Sequence, residues 1–289
     1  MQLGLVGLGR MGGNMRERLR AAGHEVIAFD RDAQLSDVPD LAALVAALSP
    51  PRTLWLMVPA DVTGDVVEDL GELLAADDLV IDGGNSPYVE DGPRARLLAQ
   101  REIGYLDVGV SGGVWGRAEG YALMVGGERR YVKRCRPIFD ALTPPGELGF
   151  VHAGPVGAGH YTKMVHNGIE YGLMQAYAEG YELLTKAELV DDVPGVLRSW
   201  QEGSVVRSWL LELLTRALEE DPELASLQGY AEDTGEGRWM VDEAVRLAVP
   251  LNAITASLYA RFASRQEDSP AMKAVAALRR QFGGHAVRE

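Results

Sequence analysis

Cysteine is nearly absent from this 289-residue chain: there is one, Cys135. A lone cysteine rules out an intrachain disulfide framework and fits a reducing compartment, so a cytoplasmic location is expected. Long apolar runs are missing as well. The longest helical one, 41–48, is far too short to cross a bilayer. The chain runs from Met1 straight into a strand-like stretch, with no basic region or cleavage site of a secretory leader. Positive charge is in deficit, since 28 Lys+Arg against 42 Asp+Glu leave a formal charge of −14. Such a chain is a poor match for a phosphate backbone or an anionic headgroup layer, so neither nucleic acid nor a membrane is an expected partner. There is no repeat, no low-complexity tract and no block of like charge; the acidic run 219–221 reads as a solvated helix end. His and Cys nowhere cluster at metal-ligand spacing, and no metal is expected.

What is present is the composition of a folded protein, with 47% hydrophobic and 24% charged residues. The length suits two domains. Apolar runs of strand length fall at 2–7, 25–30, 53–58, 78–82, 104–109 and 121–126, with helical patterns such as 13–22, 62–75 and 88–101 between them. Strand–helix alternation predicts a mainly parallel, doubly wound α/β sheet of Rossmann type, covered on both faces. After about residue 155 only helical patterns remain, at 157–187, 204–220, 237–248, 251–267 and 270–282. The expected organisation is therefore a dinucleotide-binding domain over 1–156 and an all-α domain over 157–289.

The segment Gly7-Leu8-Gly9-Arg10-Met11-Gly12 is G-x-G-x-x-G between the first strand and the first helix. In that place Gly7 permits the tight turn, Gly9 lets a pyrophosphate approach the backbone, and Gly12 allows close helix–strand packing. The phosphates then rest on the helix N-terminus. Asp30 ends the second strand, 23 residues after Gly7, where a carboxylate accepts from an adenine ribose. Asp30 and Asp32 repel a 2′-phosphate, whereas Arg31 could stack on adenine or bind that phosphate. The balance favours NAD over NADP. Val58, closing the third run, is placed with the cofactor.

One stretch is richer in chemistry than any other: Gly157-Ala158-Gly159-His160-Tyr161-Thr162-Lys163-Met164-Val165-His166-Asn167-Gly168-Ile169-Glu170-Tyr171. At about 100° per residue, Lys163, Asn167 and Glu170 share a helix face, flanked by His166 and Tyr171. The plain reading is a solvated stripe. The functional reading puts this stripe towards the crevice where open α/β sheets bind ligands. A partly desolvated lysine there loses its proton near neutral pH and acts as a base.

Four further segments keep two readings each. Asp82-Gly83-Gly84-Asn85-Ser86 follows the fourth strand and is either a glycine turn or a place where Asn85 reaches nicotinamide or substrate. Val110-Ser111-Gly112-Gly113 is either a loop or a nest of N–H groups for a carboxylate. Arg207 is either a surface charge or a ligand. Arg279 and Phe282-Gly283-Gly284-His285 form either a frayed tail or an anchored one.

Taken together, these segments resemble the 6-phosphogluconate dehydrogenases, and more narrowly their short bacterial-type form, over nearly the whole chain. The block Lys163-Met164-Val165-His166-Asn167-Gly168-Ile169-Glu170-Tyr171-Gly172 carries the resemblance most specifically. The glycine turn and the spacing of Gly154, Gly157, Gly159, Lys163 and Asn167 are shared with the wider β-hydroxyacid dehydrogenase superfamily. The resemblance implies oxidative decarboxylation of 6-phosphogluconate to ribulose 5-phosphate, a step of the pentose phosphate pathway. It assigns Lys163 as general base and acid, and Glu170 as the acid that protonates the enediol. His166 and Asn167 become substrate contacts, and Asn85 a residue between substrate and nicotinamide. Ser111, Gly112 and Gly113 become the carboxylate turn, and Tyr171 and Arg207 phosphate ligands. Arg279 and His285 become tail residues entering a partner subunit's site, which implies a homodimer or higher oligomer. Two departures stand out. Thr234 occupies the place of a phosphate-binding lysine of the long forms, and Asp30-Arg31-Asp32 replaces their Asn-Arg-Thr cofactor segment, again favouring NAD. The long forms' second helical half is missing too. The competing expectations are a dehydrogenase of a small unphosphorylated 3-hydroxy acid, without decarboxylation, and a non-catalytic dinucleotide-binding protein.

Overall fold

The structure, a computed structural model, describes residues 1–146 and 148–283. The first part alternates as the apolar runs require: β1 Gln2–Val6, α1 Arg10–Ala21, β2 Glu25–Phe29, α2 Leu41–Ala47, β3 Thr53–Leu56, α3 Ala60–Leu73 and β4 Leu79–Asp82, then α4 Asp91–Ala99 and β5 Gly104–Ser111. There follow α5 Gly116–Glu119, β6 Ala122–Gly127, α6 Arg129–Arg134, α7 Arg136–Leu142 and β7 Phe150–Gly154. The strands form one sheet of order β2-β1-β3-β4-β5-β6-β7. All pairings are parallel except β5 with β6. The expected doubly wound sheet is thus present, with an extra strand. β7 was not among the expected runs because it is a half-exposed edge, Phe-Val-His-Ala-Gly, with neither alternation nor an apolar run to mark it.

Period-two burial explains the two cores. Leu3 and Leu5 of β1, Leu79 and Ile81 of β4, and Leu106, Val108 and Val110 of β5 lie on one face under Met15, Leu19, Ile138 and Phe139. Val6, Leu54, Leu56, Val80 and Tyr105 lie on the other, under Leu44, Val67, Leu70 and Leu98. Each fully buried leucine is worth about 1.5–3 kcal/mol of transfer free energy. Cys135 joins the first core with no exposure, and burial pushes its thiol up to about 11.

The strand order reverses at β1, which lies between β2 and β3. The turns after β1, β3 and β4 therefore meet at the carboxyl end of the sheet, where ligands of such folds bind.

The rest is helical: α8 Ala158–Lys186, α9 Val193–Ser199, α10 Trp209–Glu220, α11 Glu236–Leu247, α12 Asn252–Ser264 and α13 Pro270–Gly283. By compactness the chain divides within α8, into Met1–His166 and Asn167–Glu289. The helix expected from 204 starts later, because Ser208 is extended and its hydroxyl caps the Leu211 N–H. The short α9, capped by Asp192 on Gly195, was not expected. In the second unit Leu197, Leu211 and Leu218 pack with Tyr177, Tyr181 and Leu184 of α8. No helix among the described residues is long and apolar enough to cross a membrane.

Candidate active site

The glycine turn has the geometry that its motif requires. Gly7 has φ +91°, and a Cβ there would lie 2.5 Å from the Met57 carbonyl and 3.1 Å from Val58 Cγ1. A Cβ on Gly12 would overlap the Gly7 carbonyl, whereas one on Gly9 would meet nothing within 4 Å. Helix α1 starts at Arg10 with no side-chain cap and no acid in its first turn. A helix start without a side-chain cap, beside a Gly9 with room around it, is a cradle that fits a pyrophosphate. Arg10 and Arg31 are exposed, and Met11 packs towards the first core. Asp30 is fixed at the head of the turn, accepting from the Leu8 N–H at 2.6 Å and the Asp32 N–H at 2.9 Å. Val58 also touches the next turn, its carbonyl lying 2.8 Å from where a Cβ on Gly84 would stand. The residues expected to hold the cofactor, Gly7 to Gly12, Asp30 and Val58, are therefore neighbours in space. The turn bearing Asn85 adjoins them.

Strand β5 sets out the next part of the site. Its odd positions, Tyr105, Asp107, Gly109 and Ser111, share one face by strand alternation, and each except Tyr105, which acts through Asp91, meets the start of α8. Asp107 is fully buried, and its carboxylate accepts from the N–H groups of Gly157 and Gly159 at 2.7 Å and of His160 at 3.0 Å. It is a helix cap supplied from a strand, with the charge favoured by the helix dipole. The glycines that open α8 serve this approach: a Cβ on Gly159 would lie 2.5 Å from the carbonyls of Asp107 and Met124. Gly109 makes room for Lys163, since a Cβ there would overlap the lysine's own Cβ and stand 2.8 Å from the Gly159 carbonyl. Ser111 Oγ lies 3.2 Å from His166 Nε2, and Lys163 Nζ lies 3.5 Å from His166 Nδ1. The His166 ring thus stands between the two, with one nitrogen within hydrogen-bond reach of each. Gly112 and Gly113 follow in the left-handed region, at φ +132° and +52°, so Ser111 leads into a backbone turn that needs glycine.

Beneath this face lies a buried polar cluster that the sequence did not reveal. Asp82 and Asp91 have no exposure and His160 has 2%. Asp82 accepts from Gly84 N–H at 3.0 Å, Ser86 Oγ at 2.9 Å and Arg94 at 3.2 Å. Asp91 holds His160 Nδ1 with both oxygens at 2.9 Å and accepts from the Tyr105 hydroxyl at 2.9 Å. Burial raises Asp91 to about 6, against the hydrogen bond and charge of His160. Burial opposes the charge of His160, but the Asp91 hydrogen bond and the carboxylates of Asp82, Asp91 and Asp107 outweigh it and raise the imidazole to about 9. The hydrogen bond between them favours the charged form of each partner. Asp82, Asp91 and His160 bring ligand atoms within 4.8 Å of one another, yet their oxygens are already taken by Arg94, Ser86 and Tyr105, and the guanidinium supplies the compensating charge.

Further along the same unbroken helix come Asn167 and Glu170, both half-buried, and Tyr171, which is buried. Tyr171 is held on two sides. The Arg261 guanidinium lies 3.5 Å over its ring, and its hydroxyl accepts from Thr234 N–H at 3.4 Å. Thr234 in turn donates to Glu236 at 2.7 Å. Nearby Asp233 is held below the usual carboxylate range, chiefly by its hydrogen bond from Arg238 and also by Arg265, against the opposing effect of its partial burial. Arg261 was not singled out in the sequence. Its signal was there: it is the one charged residue of the 13-residue helix α12. Arg207 is exposed in a loop fixed to α8, where the Tyr177 hydroxyl bonds the Val206 carbonyl at 2.6 Å and Ser208 Oγ at 2.8 Å. Arg279 is exposed on α13, and His285 lies outside the described residues.

Known proteins resemble this chain in sequence and fold. Residues 2–154 match the model described as the NAD binding domain of 6-phosphogluconate dehydrogenase, and 159–285 match that of the 6-phosphogluconate dehydrogenase C-terminal domain. A Haloferax volcanii protein named as an NAD(+)-dependent, decarboxylating 6-phosphogluconate dehydrogenase is 43% identical, over 99% of this chain and 98% of its own. Plasmodium falciparum 6-phosphogluconate dehydrogenase, whose structure was solved in its apo form and with NADP+ and 6-phosphogluconate, superposes with a TM-score of 0.84 at 25% identity, over 100% of this chain and 66% of its own. A Mycobacterium tuberculosis 3-hydroxyisobutyrate dehydrogenase shares the fold, with a TM-score of 0.71 at 22% identity, over 96% of this chain and 99% of its own.

Proposed function

The chain belongs to the 6-phosphogluconate dehydrogenase family, and from that premise we propose how its residues carry out the oxidative decarboxylation of 6-phosphogluconate to ribulose 5-phosphate and carbon dioxide. The carrying observation is the chain from Lys163 through His166 to Ser111 beside the glycine pair 112–113. Neutral Lys163 takes the proton of the substrate's 3-hydroxyl. A dinucleotide bound at the glycine turn supplies the acceptor for the hydride of carbon 3. The resulting carboxylate is β to a carbonyl, and protonated Lys163 hydrogen-bonds that carbonyl oxygen as carbon dioxide leaves. Glu170, about two turns further along α8, protonates carbon 1 of the enediol. Asn85, His166 and Asn167 orient the hydroxyls, and the N–H groups of Ser111, Gly112 and Gly113 receive the carboxylate.

The substrate phosphate goes to Tyr171 with Arg261, the cation that compensates for Thr234 in the lysine's place; Arg207 is a second candidate. NAD is the preferred cofactor, supported by the immobilised Asp30 carboxylate and by the name of the Haloferax relative. Residues 1–156 bind the dinucleotide, while 157–289 bind substrate and join subunits. A homo-oligomer, with Arg279 and His285 reaching a partner's site, accords with apolar side chains exposed in the second unit, such as Leu189 at 94% and Val205 at 99%. The lone buried cysteine accords with a cytoplasmic location. Incubation of the protein with 6-phosphogluconate and NAD or NADP tests the reading, with reduced cofactor and carbon dioxide both followed. Equimolar release is expected. No reduction with either cofactor refutes the activity, and reduction without carbon dioxide gives the chain to the non-decarboxylating β-hydroxyacid dehydrogenases.

A further inference from the structure

The buried cluster of Asp82, Asp91, Tyr105 and His160 has no part in the chemistry just described, yet it joins two segments that do. Its course is continuous. The Asn85 turn is tied to Asp82 through Gly84 N–H and Ser86 Oγ. The Tyr105 hydroxyl stands between Asp82 at 3.3 Å and Asp91 at 2.9 Å. Asp91 then grips Nδ1 of His160, three residues before Lys163 in the first turn of α8.

Burying this many ionisable groups is costly, and a well-packed apolar contact of the same volume would commonly be as stable. What the polar version adds is register. An apolar contact tolerates sliding by a fraction of an ångström, whereas a hydrogen bond from one nitrogen to both carboxylate oxygens is far less tolerant. The backbone of α8 is already capped by Asp107. The His160 side chain adds a second, lateral fixing point, and it leads to the Asn85 turn. His160 is too deeply buried, at 2% exposure, to meet substrate itself. Its Nε2 has no hydrogen-bond partner among the described residues, so only the Nδ1 edge is used.

We infer that Asp91 and His160 are positioning residues that lock the Lys163 turn of α8 to the Asn85 turn, fixing the separation of the lysine and the amide that the substrate must span. The inference rests on the proposed roles of Lys163 and Asn85.

The test compares full-length variants by kcat, by KM for 6-phosphogluconate, by the Kd for NADH from its fluorescence, and by Tm. His160→Leu and Asp91→Asn are expected to lower kcat at least tenfold, with the NADH Kd unchanged within twofold. His160→Asn places an amide nitrogen where Nδ1 stands and should recover kcat to within threefold of the parent. His160→Gln, whose amide falls near Nε2, should not. Should His160→Leu fail to fold, Tyr105→Phe removes one hydroxyl from the chain and is expected to lower kcat at least threefold. Parental kcat in His160→Leu or Tyr105→Phe overturns the inference, as does a His160→Asn enzyme as slow as His160→Leu. Lys163→Ala, assayed alongside, separates the two layers. Its retained turnover would refute the reading of the base, whereas an inactive Lys163→Ala with fully active positioning variants would refute the inference alone.

Discussion

Gly109→Ala probes how closely strand β5 holds the lysine. The added methyl would overlap Lys163 Cβ and stand 2.8 Å from the Gly159 carbonyl, where ordinary contact begins at 3.4 Å. Neither obstacle is the far end of a flexible chain. One is the root of a side chain on α8 and the other is helix backbone, so the helix must back away by about 1 Å. Overpacking of this kind costs about 1–3 kcal/mol, or a fall in Tm of roughly 2–4 °C per kcal/mol for a chain of this size class. The effect on rate should be larger, because a shift of about 1 Å in a reacting group can cost about 10²-fold. The assay is kcat with saturating NAD and 6-phosphogluconate beside thermal unfolding, with Gly64→Ala as the control. A Cβ on Gly64, within α3, meets nothing within 4 Å, so that substitution should stabilise by about 0.5–1 kcal/mol. Gly109→Ala is expected to turn over about 10–100-fold more slowly while binding NADH normally. Parental kcat and Tm in Gly109→Ala would refute the packing of Lys163 against β5.

Three other outcomes are expected. Arg261→Ala removes a charge-assisted contact worth about 1.5–3 kcal/mol, so KM for 6-phosphogluconate should rise tenfold or more with a smaller change in kcat; an unchanged KM would take Arg261 out of the phosphate subsite. Asp30→Ser should lower the ratio of kcat/KM with NAD to that with NADP at least tenfold, and an unaltered ratio would show that Asp30 does not choose the cofactor. Chemical denaturation as a function of pH should show alkaline loss in two stages. His160 is raised to about 9 from 6.5, so its contribution is full below 6.5 and disappears as pH passes 9. Cys135 is raised to about 11 from 9.0, so its contribution is full below 9 and disappears as pH passes 11. Cys135→Ala should diminish the second stage, to which the raised hydroxyls of Tyr105 and Tyr121 also contribute, and leave the first unchanged; a Cys135→Ala profile identical to the parent's would contradict that assignment.

Much of the fold could be read from apolar periodicity. The strands from β1 to β6 bury one or both faces, and the residues that do so are contiguous. β7 could not be read in this way, because an edge strand has only one neighbour to satisfy and its side chains are only partly covered. The glycine turn, Asp30 and the polar stripe of α8 were legible because each is a local pattern with a physical meaning. Asp107 was not. In the sequence it is one acid inside an apolar run, and its partners are N–H groups 50 or more residues away. The same holds for Asp82, Asp91 and His160, whose association depends on the order of β4 and β5 in the sheet. Arg261 could be recognised only by its isolation within α12, since Tyr171, its partner, lies on another helix.

The central claim is that Lys163 moves the proton of the oxidised hydroxyl. Measurement of kcat for Lys163→Ala with NAD and 6-phosphogluconate tests it most directly. Loss of general base and acid should lower kcat by about 10²–10⁴-fold, with NADH still bound at the parental Kd and α8 still folded by thermal melt. A Lys163→Ala enzyme that releases NADH and carbon dioxide at the parental rate would contradict the account.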